Sequence, residues 1–113
     1  MRVAPEGGTF ITSVDAPGAP PAAFRLLPNF PNPFNPSTRI RFEVPRSIHA
    51  RLGIFDVQGR LVQWLVDGPV GAGLHEVSWH GRDKSGVALA SGVYFYRLEA
   101  GQHSASGRMV LLK

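Results

Sequence analysis

The sequence predicts an all-β fold, an antiparallel immunoglobulin-like β-sandwich of about seven strands behind a proline-rich leader. Three observations predict it. From Thr38 onward, apolar residues recur with period two, the mark of half-buried strands. Glycine-rich breaks divide these segments every 8–15 residues or so. No window carries the i, i+3, i+4, i+7 apolar spacing of a capped helix.

Each element follows in order. Eight of the ten prolines lie in the first 36 residues, from Pro5 to Pro36. The segment Asp15–Ala23 (DAPGAPPAA) buries little and is extended by its prolines, so residues 1–23 read as a flexible linker. Such a linker is expected to tether an upstream domain, with the chain as the tail of a longer protein; a short disordered leader is the alternative. Residues 24–113 then form the sandwich. Next comes the run Asn29-Phe30-Pro31-Asn32-Pro33-Phe34-Asn35-Pro36. Proline fixes φ and disfavours helix in the residue before it, and asparagine bonds nearby backbone in Asx-turns. The run is therefore a stiff, extended segment whose Phe30 and Phe34 pack on the sandwich edge.

Arg39 to Val44 alternates strictly, with Ile40, Phe42 and Val44 on one face, and Pro45 stops it. Ala50, Leu52 and Ile54 alternate again before parity shifts at Phe55, which predicts a bulge or turn there. Asp56-Val57-Gln58-Gly59-Arg60 is the turn. Gly59 supplies positive φ and Asp56 accepts a backbone N–H. Leu61–Val66 returns as a hairpin arm, and Gly68-Pro69 with Gly71-Ala72-Gly73 reads as the next break. His75, Val77 and Trp79 share a face, and Gly81–Gly86 is a turn-rich loop. A short strand is expected at Val87–Leu89. Val93–Leu98 reads as apolar on both faces, and a last strand runs from about Ser104 to Leu112. Phe42, Trp64, Trp79, Tyr94, Phe95 and Tyr96 are expected to supply most of the buried area.

Composition excludes several functions. At 113 residues, 43% hydrophobic and 18% charged, the chain is one domain and not a fully disordered one. No stretch approaches the ~18–20 apolar residues of a membrane-spanning helix. The opening MRVAPEGG lacks a signal peptide's apolar core. The absence of cysteine rules out disulfides, thiolate catalysis and cysteine-based zinc sites. Net charge is +4, but the arginines are scattered singly, so no nucleic-acid partner is expected.

No catalytic residues are assigned. His80, Asp83 and Ser85 are suitable residue types but share one loop without a nucleophile elbow. His49, His75, His80 and His103 lack metal-ligand spacing. Asp83 is a candidate calcium ligand, since calcium takes six to eight oxygens. A structural Asp is preferred, because Arg82 and Lys84 flank it and the loop holds no second carboxylate. No metal, cofactor or small-molecule substrate is expected.

Five ordered blocks carry a resemblance. They are Asn29–Thr38 with Ile40; Phe55–Val62; His75–Trp79 with Gly81-Arg82-Asp83; Ala90–Leu98; and Arg108-Met109-Val110-Leu111-Leu112-Lys113. Together they resemble the type A C-terminal sorting domain of type IX secretion cargo and the related Ig-like domains of the flagellar hook-capping protein family. The motif positions are Asn32, Pro33, Phe34, Asn35, Pro36, Asp56, Gly59, Arg60, Trp79, Asp83, Gly92 and Tyr94. Two positions depart from the pattern: His80 follows Trp79 where Asp or Asn is usual, and the small run His103–Gly107 leaves Arg108 alone ahead of the apolar end.

The resemblance implies a non-catalytic module, linked covalently to an upstream cargo domain and read by the outer-membrane secretion machinery. Arg108–Lys113 would be the recognition block, either as a plain core strand or as a strand also offered for β-augmentation. The protein would be a monomer, secreted or at the cell surface after passing the periplasm. The alternatives are an Ig-like spacer or assembly domain of the hook-capping type, and a carbohydrate-binding sandwich that uses exposed Trp64, Phe95 or Tyr96.

Overall fold

The structure is a computed structural model that describes residues 23–113. The expected linker, apart from Ala23, lies outside the described residues. Seven strands follow one another: β1 (Arg25–Leu26), β2 (Thr38–Val44), β3 (Ile48–Phe55), β4 (Leu61–Val70), β5 (Gly73–Trp79), β6 (Gly92–Ala100) and β7 (His103–Leu111). They make two sheets, of order β1-β2-β5 and β4-β3-β6-β7, and every named pairing is antiparallel. This is an immunoglobulin-like sandwich in which β4 has joined the sheet of β3, β6 and β7.

Period two decides which side chains meet between the sheets. Ile40, Phe42 and Val44 of β2 point inward, as do Ala50, Leu52 and Ile54 of β3. Tyr94, Tyr96, Leu98 and Ala100 of β6 and Met109 and Leu111 of β7 complete the facing layer. Trp79, at the end of β5, closes one end of the core. Its ring lies 5.6 Å from Phe34 and edge-on to Tyr94 at 5.5 Å. Its indole N–H donates to Arg82 O at 2.9 Å, so burial leaves no orphan donor. Truncating such a side chain costs roughly 3–5 kcal/mol.

Several expectations are corrected. The seventh strand is β1, not Val87–Leu89, where only an isolated Arg82–Ala88 bridge forms. Of the expected break, Gly71-Ala72 does separate β4 from β5, but Gly68-Pro69 does not break the chain. It lies inside β4, and this edge strand tolerates the N–H that proline lacks. Val93–Leu98 is not apolar on both faces, since Arg97 points outward and Phe95 is 36% exposed. Trp64 is also on the outer face, not in the core. It packs over Gly53 and edge-on to Phe55, with the Arg51 guanidinium 4.0 Å above its ring. Phe34 is buried at 2% exposure, whereas Phe30 is 64% exposed, so only one of that pair packs. The parity shift expected near Phe55 is present, as register shifts at Leu52/Gly53 and Ile54/Phe55.

Candidate functional site

The Asn-Pro run and the terminal strand lie at opposite ends of the described sequence, and the fold brings them together. β7 is an edge strand, paired with β6 from Ala100–His103 to Gly92–Leu111 without a slip in register. Its odd-numbered residues lie on the inner face, where Met109 and Leu111 are buried in the core, and turn their backbone groups toward β6. Even-numbered residues therefore turn backbone N–H and C=O groups toward the open edge. The Asn-Pro run covers part of that edge. Phe34 N–H donates to Val110 O at 2.9 Å, and Leu112 N–H donates to Phe34 O at 3.0 Å. The Asn32 side chain imitates a strand partner. Its Oδ1 accepts from Val110 N–H at 3.0 Å, and its Nδ2 donates to Arg108 O at 3.3 Å. Beyond this point Lys113 N–H donates to Ser91 Oγ at 2.9 Å, which ties down the residues that follow β7.

A second lock holds the start of the run. Tyr96 reaches across β7 at Gly107, its register partner, and a Cβ there would collide with the Tyr96 ring. The Tyr96 hydroxyl donates to Leu27 O and accepts from Asn29 N–H, both at 3.2 Å. Asn29 is buried. Its Nδ2 donates to Thr38 Oγ1 at 3.0 Å and Pro31 O at 3.3 Å, and Thr38 Oγ1 donates to Pro31 O at 2.8 Å. Burial raises the Tyr96 pKa, partly offset by the Asn29 hydrogen bond.

The terminal block divides by face. Met109 and Leu111 are buried, whereas Arg108 and Lys113 are exposed, Val110 is half-buried and Leu112 is 51% exposed. Arg108, Val110 and Leu112 thus form a basic and apolar stripe on the outer side, anchored by alternate residues in the core.

The remaining motif residues serve turns and packing. Asp56 and Asp83 head two turns of identical bonding. Asp56 Oδ1 accepts from Gln58 and Arg60 N–H, both at 2.9 Å, and Asp83 Oδ1 accepts from Ser85 N–H at 2.9 Å and Val87 N–H at 3.0 Å. In each turn a glycine at positive φ, Gly59 at 81° or Gly86 at 84°, donates to the aspartate's own carbonyl at 2.9 Å. Arg60 Nε adds a 3.0 Å bond to Asp56 Oδ2. The Arg60 backbone bond leads the lowering of the Asp56 pKa. Asp83 Oδ1 therefore already has two backbone donors, and among the described residues no group of three His, Asp or Glu side chains converges to hold a metal. Gly92 opens β6 opposite Leu111, and the Tyr94 hydroxyl donates to Ala90 O at 2.8 Å. Pro33, Asn35 and Pro36 continue the run between Asn32 and β2. Of the aromatics considered as a sugar platform, Tyr96 is buried and Trp64 carries Arg51 on one face.

The fold and its proline clamp define an immunoglobulin-like β-sandwich domain. Residues 32–104 match the FlgD Ig-like domain, and the chain belongs to that family. It is a β-sandwich family, not a catalytic one. A comparison with curated proteins finds no match. Among solved structures, dimeric latent PorU from Porphyromonas gingivalis is similar at a TM-score of 0.63 and 23% identity, covering 91% of this chain and 10% of that one. PorZ, a surface component of the type IX secretion system of the same organism, is similar at a TM-score of 0.54 and 22% identity, covering 80% of this chain and 11% of that one. The chain therefore spans about a tenth of either, and the likeness is one of fold.

Proposed function

We propose that this domain is a non-catalytic secretion-sorting module. It directs a covalently linked upstream cargo domain through type IX secretion across the outer membrane, with residues 1–23 as the tether. Its destination is the outside of the cell or the cell surface, by way of the periplasm, and it acts as a monomer. The observation that carries this reading is the two-faced terminal strand: Met109 and Leu111 fix it in the core while Arg108, Val110, Leu112 and Lys113 face outward. A folded domain can then present a linear signal without unfolding. The family supports the reading, as does the likeness in fold to PorU and to PorZ, a component of such a system.

The test is export of a reporter fused ahead of the full chain, in a host with type IX secretion. Arg108→Glu with Leu112→Asp changes the outward stripe and leaves the core positions untouched. Loss of export with an unchanged circular-dichroism spectrum is expected. Undiminished export would favour the second reading, an Ig-like spacer or assembly domain, which the FlgD Ig-like match supports on its own.

A further inference from the structure

The Asn-Pro run covers only the last part of the β7 edge. Asn32 and Phe34 engage Arg108 O, Val110 and Leu112. By the same alternation, the N–H and C=O groups of Ser104 and Ser106 and the N–H of Arg108 face outward, and among the described residues no backbone group bonds them. Natural sheet edges are usually blunted by proline, lysine, a bulge or a covering segment. Among the described residues, this stretch, Ser104-Ala105-Ser106-Gly107, has none of these devices and keeps a regular register.

Both sides of this edge offer a place for side chains. On the inner side, β1 is only two residues long, so the sandwich is open there. A hollow of about 100 Å³ lies between Phe24, Leu26, Leu98, Ala100 and Ala105, and the Phe24 ring stacks on His103 at 3.9 Å. On the outer side, a shallow groove of about 290 Å³ runs past Phe55, Asp56, Phe95, Arg97 and Ser106, and the Asp56 carboxylate in it is paired with Arg60 Nε at 3.0 Å. Ser106 is paired with Arg97, and Arg108 with Phe95. The Arg97 guanidinium meets Glu99 at 3.3 Å, whereas Arg108 meets no carboxylate among the described residues.

We infer that the Ser104–Arg108 edge is a docking site for an extended peptide of another protein, one whose apolar and acidic side chains alternate. The peptide adds a fifth strand to the β4-β3-β6-β7 sheet. Its backbone bonds Ser104 and Ser106, its apolar side chains enter the Phe24–Ala105 hollow, and its carboxylates face Arg97 and Arg108. Main-chain bonds supply affinity and the alternation supplies specificity. A basic peptide is rejected by like charge. This goes beyond the sorting role, and binding by the folded domain stands or falls whether or not the chain is exported.

The test uses the full chain and a short synthetic peptide of alternating valine and glutamate. Two controls accompany it: the same peptide with lysine for glutamate, and one N-methylated on the amides that would face β7. The glutamate peptide is expected to slow amide exchange at Ser104, Ser106 and Arg108 and to bind at least about tenfold tighter than either control. Ser106→Pro, which removes one outward N–H, is expected to weaken binding by a similar factor with the fold unchanged. Absence of binding, binding without protection of those amides, or equal binding of the N-methylated or lysine peptide would overturn the inference. So would a dimer in sedimentation that Ser106→Pro abolishes, because the edge would then belong to a second copy. The peptide controls need no variant, so a Ser106→Pro protein that fails to fold leaves the test decisive.

Discussion

Gly107 has no side chain because the ring of Tyr96 occupies the space. Replacing it with valine forces Tyr96 off its bonds to Leu27 and Asn29 and opens the attachment of the whole proline run. Overpacking of this kind costs roughly 1–3 kcal/mol, and an unsatisfied Asn29 N–H in a buried place adds to that. A Gly107→Val variant should therefore lower the denaturant midpoint clearly, whereas Gly68→Ala, with nothing near its Cβ, should lower it much less. Asn32 is tested differently, because it is exposed and its side chain bonds only the backbone of β7. Asn32→Ala deletes two bonds to β7, each contributing about 0.5–1.5 kcal/mol. Its signature should be local: faster amide exchange at Val110 and Leu112, with Ser104 and Ser106 unchanged. Equal exchange at Val110 in the variant and the parent would show that the Asn32 clamp does not hold the strand.

At the scale of elements, the paired Asp turns show how much the sequence reveals. Asp-x-x-Gly occurs at Asp56–Gly59 and at Asp83–Gly86; the expectation that Asp bonds backbone is met in both, the positive φ expected of Gly59 is present, and Gly86 repeats it. β2, β3 and β5 were equally legible, since strict alternation has one buried solution. What escaped has physical reasons. β1 is two residues long and carries no period. β4 runs through Pro69 because an edge strand needs no N–H on its open side. The Asn32 clamp spans 76 to 78 residues, beyond any local pattern, though asparagine between prolines marked the site for bonding to backbone. The outward side of Trp64 and Phe95 was hidden because aromatic content does not tell which sheet face it serves. The Asp56 turn also gives a pH prediction. Its folded pKa is lowered, so its stabilising share is complete above the ordinary carboxylate pKa near ~3.9 and is lost as pH falls through the folded value. Asp56→Asn should flatten the decline of the denaturant midpoint below about pH 4 relative to the parent chain. An identical decline in both would assign the acid sensitivity to other carboxylates.

For the whole molecule, the two tyrosines report on integrity, since Tyr94 and Tyr96 are the only ones in the chain. Both pKa values are raised, chiefly by burial, with the Asp56 charge a second cause at Tyr94. Ionised tyrosine is thus disfavoured in the folded state. A raised acid of this kind contributes stability that is complete below the unfolded value near ~10 and is lost as pH rises through the folded one. The Tyr96 hydroxyl also loses its only proton on ionising, and with it the bond to Leu27 O that joins the two sheets across the open side. Alkali should therefore act on the sandwich as one unit. In an ultraviolet titration, tyrosinate absorbance should rise at higher pH than in a denatured chain and coincide with the loss of circular dichroism. Tyr94→Phe should keep this coincidence, because the crossing bond belongs to Tyr96. Tyr96→Phe should leave a single tyrosinate step and speed exchange at Asn29 N–H even at neutral pH. If absorbance in the parent chain instead rises fully before any change in circular dichroism, the tyrosines ionise in an intact fold, and the Tyr96 lock is not what joins the proline run to the sandwich.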